Sequence, residues 1–528
     1  MTCCGKKVIL LFCLVLASCR WPTQAQEPAD SALILFHVED LYYNSAFEYQ
    51  LFDDLEDGKR DYLSLITCMN PEATEKDVAV YRKWIIDIAG IIGHGRFERL
   101  SEEKKMVAIH DYVTKNMLLQ YYQSSSFDDL YKYDRYNFLT AACLYAFIMD
   151  ELHIPYVIKE SSDHLYLIAY PRTGKILVEM TIPEINNRYN FALRNSFINY
   201  LKENNLIDEI TYRSKSTRDL FAKYFFSQKD FTLKELMGLQ YMYKALGDTG
   251  VSACKSAYQD LQKAYYLYPS WKMQYMLLAE YYNYMENADL TNTENLGYFV
   301  TGPELIPIGF HPDYFLKRFS DLTEIYLFSR KDINEYNGIY NYIMEQVAGR
   351  NIRDELSFIY YYETGRFYNN SGKFELALDN LEKAFEINPS DKNMQGLFVR
   401  VLADYAATTA VSDLIPRLEY YYQEYKIEEL HDIFIMILMH VFLQYAGKSF
   451  QVEDGVTGET YLAKFDSLYR NNTGTGIDQD LIVQTYSSAA IYYSGKGDIA
   501  RSKQMILQGL QLAPGNVELQ MKLDSFKN

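Results

Sequence analysis

A recurring spacing of small and aromatic residues in the C-terminal half of the chain limits the fold more than any other feature. Between Tyr361 and Pro389 the spaced residues are Tyr361, Gly365, Tyr368, Gly372, Phe374, Ala377, Ala384 and Pro389. The same register recurs between Tyr486 and Pro514, at Ala490, Tyr493, Gly497, Ile499, Leu510 and Pro514. Small residues let two helices approach closely, aromatic residues fill the space between helix pairs, and a proline ends the second helix. The spacing therefore predicts stacked pairs of α-helices.

This spacing resembles the signature of tetratricopeptide repeats. A partial third unit places Ala257, Leu261, Ala264 and Pro269 in a second helix and Tyr275, Leu278, Ala279 and Tyr282 in the helix after it. Strand-like runs are missing after Ser214, so we expect an all-α tetratricopeptide-repeat solenoid over residues 213–528. Glycine and proline clusters predict an insertion loop near residues 287–312 and a second loop at residues 452–460. The resemblance implies a groove that binds a protein or peptide partner.

The N-terminal half contains one strongly apolar helix followed by three strands. Apolar residues at nearly every turn of residues 138–152 predict a helix that is buried on most sides and is ended by Pro155. β-branched and aromatic runs predict strands at residues 156–159, 165–170 and 176–181, with a hairpin turn at residues 171–174. Two amphipathic helices are predicted before this core, starting at Thr74 and at Ser101. We therefore expect an α+β domain over residues 27–212.

The order of these elements resembles the papain-type core of transglutaminase-like proteins. In that family a cysteine begins the helix, a histidine lies on the next strand, and an acid lies on the strand after it. Counting back from the Ile-Pro pair that ends the helix, the family's cysteine position falls on Phe138, and the other two fall on His164 and Glu179. A phenyl ring cannot act as a nucleophile. The resemblance, which covers about residues 102–183, thus implies a pseudoenzyme with vestigial triad positions.

Two functions from different classes remain open. The first is a non-catalytic scaffold of the cell envelope, in which the degenerate domain recognises a ligand without cleaving it and the repeats recruit a partner. The second is a thiol enzyme, for peptide hydrolysis or acyl transfer, that uses Cys143 with His164 and Glu179. A nucleophilic thiol belongs at a helix start, where unpaired N–H groups stabilise the thiolate. Cys143 lies more than a turn inside the helix, and His164 fits an ordinary strand histidine equally well, so we predict no catalytic residue and no enzyme activity.

The N-terminus resembles a bacterial lipoprotein signal with a lipobox. A charged start and an apolar run at residues 8–15 precede the sequence Leu16-Ala17-Ser18-Cys19. In such proteins the cysteine is acylated and becomes the first mature residue, so we expect residues 1–19 to direct export and Cys19 to carry a lipid anchor facing the periplasm. The alternative is a plain secretory signal cut after Ala25, which gives a soluble secreted or periplasmic protein.

Composition excludes nucleic acid as a partner and gives no sign of a cofactor. The 528 residues include 70 acidic and 52 basic residues, for a net charge of −18, and no basic stripe that would bind phosphates. Of the seven cysteines only Cys68, Cys143 and Cys254 lie beyond the signal, in no spacing that suggests a zinc site or a disulfide framework. We therefore expect no metal and no cofactor, and membrane contact through the lipid anchor alone.

Overall fold

The computed structural model describes residues 35–526, apart from residues 161–164, 181–194, 196–197, 200, 204–206, 225–228, 248–252, 426–427 and 473–475. The chain is 74% helical and contains a few small sheets, which is compatible with the predicted helical solenoid. It divides into two compact units, Met1–His311 and Pro312–Asn528. The predicted domain boundary at residue 212 lies inside the first of these units.

The first unit is built mainly of helices. Those up to the core helix are α1 (Ala46–Glu56), α2 (Tyr62–Thr67), α3 (Glu75–Ile92), α4 (Glu102–Asn116), α5 (Phe127–Tyr133) and the core helix α6 (Phe138–Glu151). After the sheets follow α7 (Glu209–Ser214), α8 (Thr217–Tyr224), α9 (Leu233–Gly247), α10 (Ala253–Leu267), α11 (Trp271–Asn287) and α12 (Thr293–Phe299). Short 3-10 helices lie at Val38–Asp40, Phe97–Arg99 and Gly302–Ile308. Thr74 and Ser101 are the N-caps of α3 and α4, so both predicted helix starts are confirmed.

Two small sheets accompany these helices. The strands are β1 (Gln120–Tyr121), β2 (Arg135–Tyr136), β3 (Tyr156–Glu160), β4 (Leu165–Ala169) and β5 (Ile176–Val178). β1 and β2 form a parallel pair, and β3, β4 and β5 form an antiparallel sheet in that order, in which Leu167 is paired with both Ile158 and Val178. The three predicted strands and the hairpin between the last two are confirmed, but the third strand ends at Val178, so Glu179 and Met180 lie outside it. The β1/β2 pair was not predicted because two-residue strands leave no periodic pattern.

Helix α6 lies at the centre of the first unit. Every residue from Leu139 to Met149 is buried, as the apolar pattern predicted. The helix packs against α3, α9 and β4. The sheet also carries a second apolar cluster, in which Tyr166 and Ile168 of β4 pack with Leu220 and Phe221 of α8. These contacts fix the start of α6 in a rigid surrounding.

The second unit consists of helices in the part of the chain that the structure describes. They are α13 (Pro312–Thr323), α14 (Ile333–Gln346), α15 (Arg350–Asn370), α16 (Phe374–Ile387), α17 (Lys392–Thr408), α18 (Val411–Glu424), α19 (Glu428–Gln451), α20 (Gly455–Asn471), α21 (Gln479–Gly495), α22 (Ile499–Leu512) and α23 (Val517–Ser525). A π-helical segment, Glu324–Ser329, follows α13 directly. One apolar core runs through the helices from α16 to α23.

The residues of the repeated spacing lie where two helices of a pair meet. A Cβ atom added to Gly365 of α15 would lie 2.8 Å from Leu381 Cγ of α16. Ala377 and Ala384 of α16 are fully buried. The predicted close contact within the pair α15/α16 is therefore confirmed. In the pair α21/α22 a close contact lies at Gly509, which the predicted spacing did not include: a Cβ atom added there would lie 2.9 Å from Tyr486 Cβ.

Two predicted loops are wrong. Residues 287–312 form α12 and a 3-10 helix, and Phe299 and Leu305 from these helices are buried. Burial of these apolar residues stabilises helical turns in a stretch whose glycines and prolines favour turns locally. In the second case Asp454 is the N-cap of α20, and its Oδ1 accepts from Thr457 N at 3.1 Å. An aspartate followed by glycine thus begins a helix here and does not form a loop.

One helix of the described residues, Leu430–Gln451 within α19, is long and apolar enough to cross a membrane by length and composition. A buried core helix has the same property. Phe434, Met439 and Ala446 of this helix are fully buried in the core of the second unit. Its apolar character is therefore accounted for by packing against other helices.

Candidate functional site

The start of α6 is fixed by its capping residue, Asn137, which is itself buried. Thr140 N donates to Asn137 Oδ1 and Asn137 N donates to Thr140 Oγ1, both at 2.9 Å. The Asn137 amide donates in turn to the carbonyl oxygens of Gln123, at 3.1 Å, and Ser125, at 2.9 Å. One side chain therefore satisfies the helix start and ties it to the segment that precedes β2.

Phe138 is the first residue of α6, which is the position that the family resemblance gives to the nucleophile. Its side chain is half-buried. The ring packs edge-on against Tyr243 of α9, with ring centroids 5.3 Å apart and an interplanar angle of 82°. A hydrocarbon ring thus occupies the point at which a thiolate would gain from the helix dipole.

Four tyrosines lie on or next to the β1/β2 pair, which ends two residues before Phe138. The exposed fractions are 55% for Tyr121, 59% for Tyr122 and 57% for Tyr133. Tyr136 packs edge-on against Tyr121, with centroids 5.6 Å apart. We call these four tyrosines the aromatic rim. Such a concentration of exposed rings is typical of a surface that contacts another molecule.

Arg135 lies within the aromatic rim. Its guanidinium carbon is 5.9 Å from the ring centroid of Tyr122 and 5.6 Å from that of Tyr133. A guanidinium over an aromatic face is attracted by the negative charge of that face. The rim therefore combines apolar rings with one positive charge. The sequence contains a signal for it, since residues 121–136 hold five tyrosines, but their spacing does not show that they meet at one surface.

Tyr243 connects the aromatic rim to Phe138. Burial raises the pKa of the Tyr243 hydroxyl to about 12, with smaller contributions from the nearby Tyr121 and Glu160. Glu160, the last residue of β3, accepts from Tyr268 OH at 2.7 Å and pairs with Lys272 Nζ at 3.3 Å. Tyr243 thus contacts Phe138 at the start of α6 and lies near Tyr121 of the rim and Glu160 at the end of β3.

Cys143 lies away from this surface. Its side chain is fully buried, and Gln240 Nε2 of α9 is 3.6 Å from its Sγ atom, in position to donate to it. Burial raises the pKa of the thiol to about 12. A thiol in this environment stays protonated at neutral pH, and the thiolate is the form that attacks. The geometry gives Cys143 the character of a structural residue.

Of the remaining triad positions, Glu179 is the one that lies among the described residues. Glu179 follows β5 directly and is buried, and its charge adds to the effect of burial in raising the pKa of Tyr145. Tyr145 OH is 2.7 Å from His110 Nδ1 in the same interior region. Tyr145 is seven residues after Phe138, which is about 10 Å along a helix. His164 and Cys19 lie outside the described residues.

The described residues contain no group of three or more His, Cys, Asp or Glu side chains that could hold a metal ion. Cys68 and Cys254, like Cys143, are buried and form no disulfide bond among the described residues. No protein-family model matches the chain, and a comparison with curated proteins also finds no match.

Proposed function

We propose that this protein is a non-catalytic binding protein of the cell envelope. In this proposal a transglutaminase-like domain without its nucleophile recognises a ligand, and tetratricopeptide repeats recruit a protein or peptide partner. A lipid on Cys19 holds the chain at a membrane. Neither metal nor cofactor has a part in this function.

The observation that carries the proposal is the position of Phe138. It begins α6, the residue position at which the resemblance places a nucleophilic cysteine, and its ring packs against Tyr243. The helix start therefore keeps its capping geometry but offers no group that can attack a carbonyl carbon. A folded site without its reactive atom is suited to binding without cleavage.

The aromatic rim supports ligand recognition at the same place. Tyrosine and arginine are enriched where proteins bind one another, because each presents a large rigid surface with a polar end. Tyr121, Tyr122 and Tyr133 are each more than half exposed and lie beside Arg135. A ligand that covers these rings removes their apolar surface from water, which favours binding.

The helix pairs of the second unit support the repeat assignment. α15/α16 and α21/α22 are each joined by a loop of three residues, and glycine occupies the second position of each loop with positive φ, +68° at Gly372 and +79° at Gly497. Short loops between packed helices give antiparallel pairs, and stacked pairs form the extended binding surfaces of repeat proteins. Residues 312–528 contain no cysteine, so a thiol reaction has no place in this unit, and binding of a partner is the function that we propose for it.

The thiol-enzyme alternative receives no support from the position of Cys143. Burial raises the pKa values of Cys68 and Cys143 to about 12, which disfavours the thiolate form of both. An active thiol requires an accessible sulfur with a positive neighbour or a helix start.

A capture experiment tests the proposal. The full chain is incubated with an envelope extract of its source, in parallel with a Tyr122→Ala/Tyr133→Ala variant and with Tyr342→Ala, an exposed tyrosine of α14 as control. We expect one bound species to be lost with the rim variant and retained with the control, and its mass to be unchanged after incubation. Cleavage or acylation of that species by the chain contradicts the proposal, as does equal capture by all three chains.

A further inference from the structure

Arg135 is an exposed arginine of β2 whose guanidinium contacts two aromatic rings and no acid. The rings are those of Tyr122 and Tyr133 in the aromatic rim. In the described part of the chain no ion pair and no side-chain hydrogen bond involves this guanidinium. Its five N–H groups form a planar fork that fits the two oxygens of a carboxylate. These donors therefore remain available on the surface of the rim.

Four other arginines of the chain lie over aromatic rings, and they show what Arg135 lacks. Each of the four combines its ring contact with an ion pair to a glutamate, at 2.6–3.6 Å. Arg135 thus has the aromatic part of a recurring arrangement without the carboxylate part. The four pairs are Arg330–Glu335, Arg366–Glu363, Arg417–Glu382 and Arg501–Glu459.

The edge of β1 that faces away from β2 offers main-chain groups at the same place. Gln120 N donates to Asp134 O at 3.1 Å. Tyr122 N donates to Tyr136 O at 2.8 Å. Successive residues of a strand direct their N–H and C=O groups to opposite edges, so those of Tyr121 lie on the other edge. No strand of the described residues pairs with that edge, and Tyr121 is exposed, so an extended segment can reach it.

We propose that the aromatic rim binds an extended acidic segment of a protein partner through Arg135. A glutamate or aspartate of the segment pairs with the Arg135 guanidinium, and the segment's backbone bonds to Tyr121 at the edge of β1. Neighbouring strands lie about 5 Å apart, so the two charged side chains can reach one another. A polypeptide supplies both the carboxylate and the backbone groups, whereas an acidic glycan supplies the carboxylate alone. The inference rests on the proposed recognition of a ligand at the rim and adds the class and charge of that ligand.

Isothermal titration calorimetry of the full chain with an acetylated octapeptide of alternating serine and glutamate tests this proposal. The net charge of −18 gives the chain no general attraction for such a peptide, so binding reports a local site. Arg135→Gln should weaken binding by at least about ten-fold, because it removes the charged fork that pairs with the carboxylate. Arg172→Gln removes the same charge from an exposed position in the β4/β5 turn and should leave the affinity within about two-fold.

Modified peptides test the two parts of the site separately. The octapeptide with glutamine in place of glutamate should bind at least about ten-fold more weakly, since it lacks the carboxylates. Two further octapeptides keep every carboxylate and are N-methylated on the backbone at alternate residues, one at the serines and the other at the glutamates. One of these two should bind at least about five-fold more weakly, because one set of N–H groups faces β1.

Each other outcome overturns the inference. No binding of the glutamate peptide to the native chain, or equal losses with Arg135→Gln and Arg172→Gln, means that Arg135 is not a carboxylate site. Equal affinity for the glutamine peptide means that the carboxylate is not recognised. Unchanged binding of both N-methylated peptides means that no strand is added to β1, and tighter binding of tetragalacturonate means that an acidic glycan fits the rim.

Failure of this inference is distinguishable from failure of the proposed function. A partner that is captured by the native chain, lost with Tyr122→Ala/Tyr133→Ala and retained by Arg135→Gln leaves the binding function intact and overturns only the acidic segment.

Discussion

The ion pair between Glu48 and Lys263 lies wholly inside the first unit. Lys263 Nζ is 2.8 Å from Glu48 Oε1, and both side chains have an exposed fraction of 0%. Glu48 also accepts from Tyr241 OH and from Asn44 N, each at 2.7 Å. Helices α1, α9 and α10 therefore meet at one carboxylate. Removal of Lys263 leaves the Glu48 carboxylate buried without its positive partner.

Lys263→Met should lower the free energy of unfolding of the first unit by about 3–5 kcal/mol. All tryptophans of the chain precede residue 312, so tryptophan fluorescence during urea unfolding reports on the first unit alone. Lys59→Met, which breaks an exposed pair with Asp54, is the control and should change stability by less than about 1 kcal/mol. A Lys263→Met protein as stable as this control would show that the pair is not buried.

Cys143 gives a pH dependence whose sign follows from its environment. The folded pKa is about 12, against an ordinary value of 9.0. Because the unfolded thiol ionises first, Cys143 has no effect on stability below about pH 9 and lowers it as the pH rises from 9 toward 12. At pH 10 the loss should be about 1.4 kcal/mol. Urea unfolding at pH 7.5 and at pH 10 measures the stability of Cys143→Ala and of the native chain. The native chain should lose about 1.4 kcal/mol more than Cys143→Ala between these two pH values. An equal loss in both proteins contradicts a buried neutral thiol.

At the scale of elements, glycine at a helix contact decides how closely two helices pack. Gly365 lies against Leu381 and the Ala377 carbonyl of the paired helix. Gly396 of α17 is also within a helix, but a Cβ atom added there would meet nothing within 4 Å. Substitution by alanine therefore gives both positions the same gain in helix propensity. The positions differ only in whether there is room for the added Cβ atom.

Gly396→Ala should raise the stability of the second unit by up to about 1 kcal/mol, whereas Gly365→Ala should lower it by about 1–3 kcal/mol. Thermal unfolding followed by circular dichroism at 222 nm measures both variants. Stabilisation by Gly365→Ala would mean that α15 and α16 are not in close contact at this residue and that the repeat register is misassigned.

The elements that the sequence predicted best are those with a strong local signal. The apolar run of residues 138–152 gave α6, and the Thr74 and Ser101 caps gave two helix starts to the residue. The prediction failed between residues 287 and 312, because burial of Phe299 and Leu305 depends on distant neighbours. The family pattern assigned Phe138 to the nucleophile position. Its contact with Tyr243 could not be predicted, because the two residues are 105 positions apart and local sequence carries no signal of such a contact.

At the scale of the whole molecule, the proposed function combines a membrane anchor with two binding regions. The net charge of −18 disfavours electrostatic attachment of the chain to anionic lipid surfaces, which is compatible with the proposed lipid on Cys19. In the described residues the one helix apolar enough to span a membrane is packed inside the second unit.

Cys19→Ala should release the protein from the membrane or leave it with its signal attached, since the acylated residue is lost. Fractionation of cells followed by mass measurement of the chain distinguishes these results. Ser18→Ala changes the neighbouring residue to another small one and should keep both the lipid and the membrane fraction. A Cys19→Ala chain that is processed and still membrane-bound would place the anchor elsewhere.

The central claim is that Phe138 occupies the position of a lost nucleophile and that the chain is therefore non-catalytic. Phe138→Cys places a thiol at the capped start of α6, where the helix dipole lowers a thiol pKa. Tyr133→Cys, on the aromatic rim and outside this helix start, provides an ordinary exposed thiol for comparison. Since the lost phenyl ring costs up to about 3–5 kcal/mol, both variants are first checked for folding by circular dichroism.

The deciding measurement is the rate of iodoacetamide labelling against pH, with mass mapping of the labelled cysteine. We predict that the thiol of Phe138→Cys reacts faster than Cys143, has its half-maximal rate about one pH unit or more below that of Tyr133→Cys, and slows when His164 is changed to Ala. A folded Phe138→Cys protein whose new thiol is inert or indifferent to His164 would contradict the claim. Enzyme activity of the native chain that disappears with Cys143→Ala would contradict it as well.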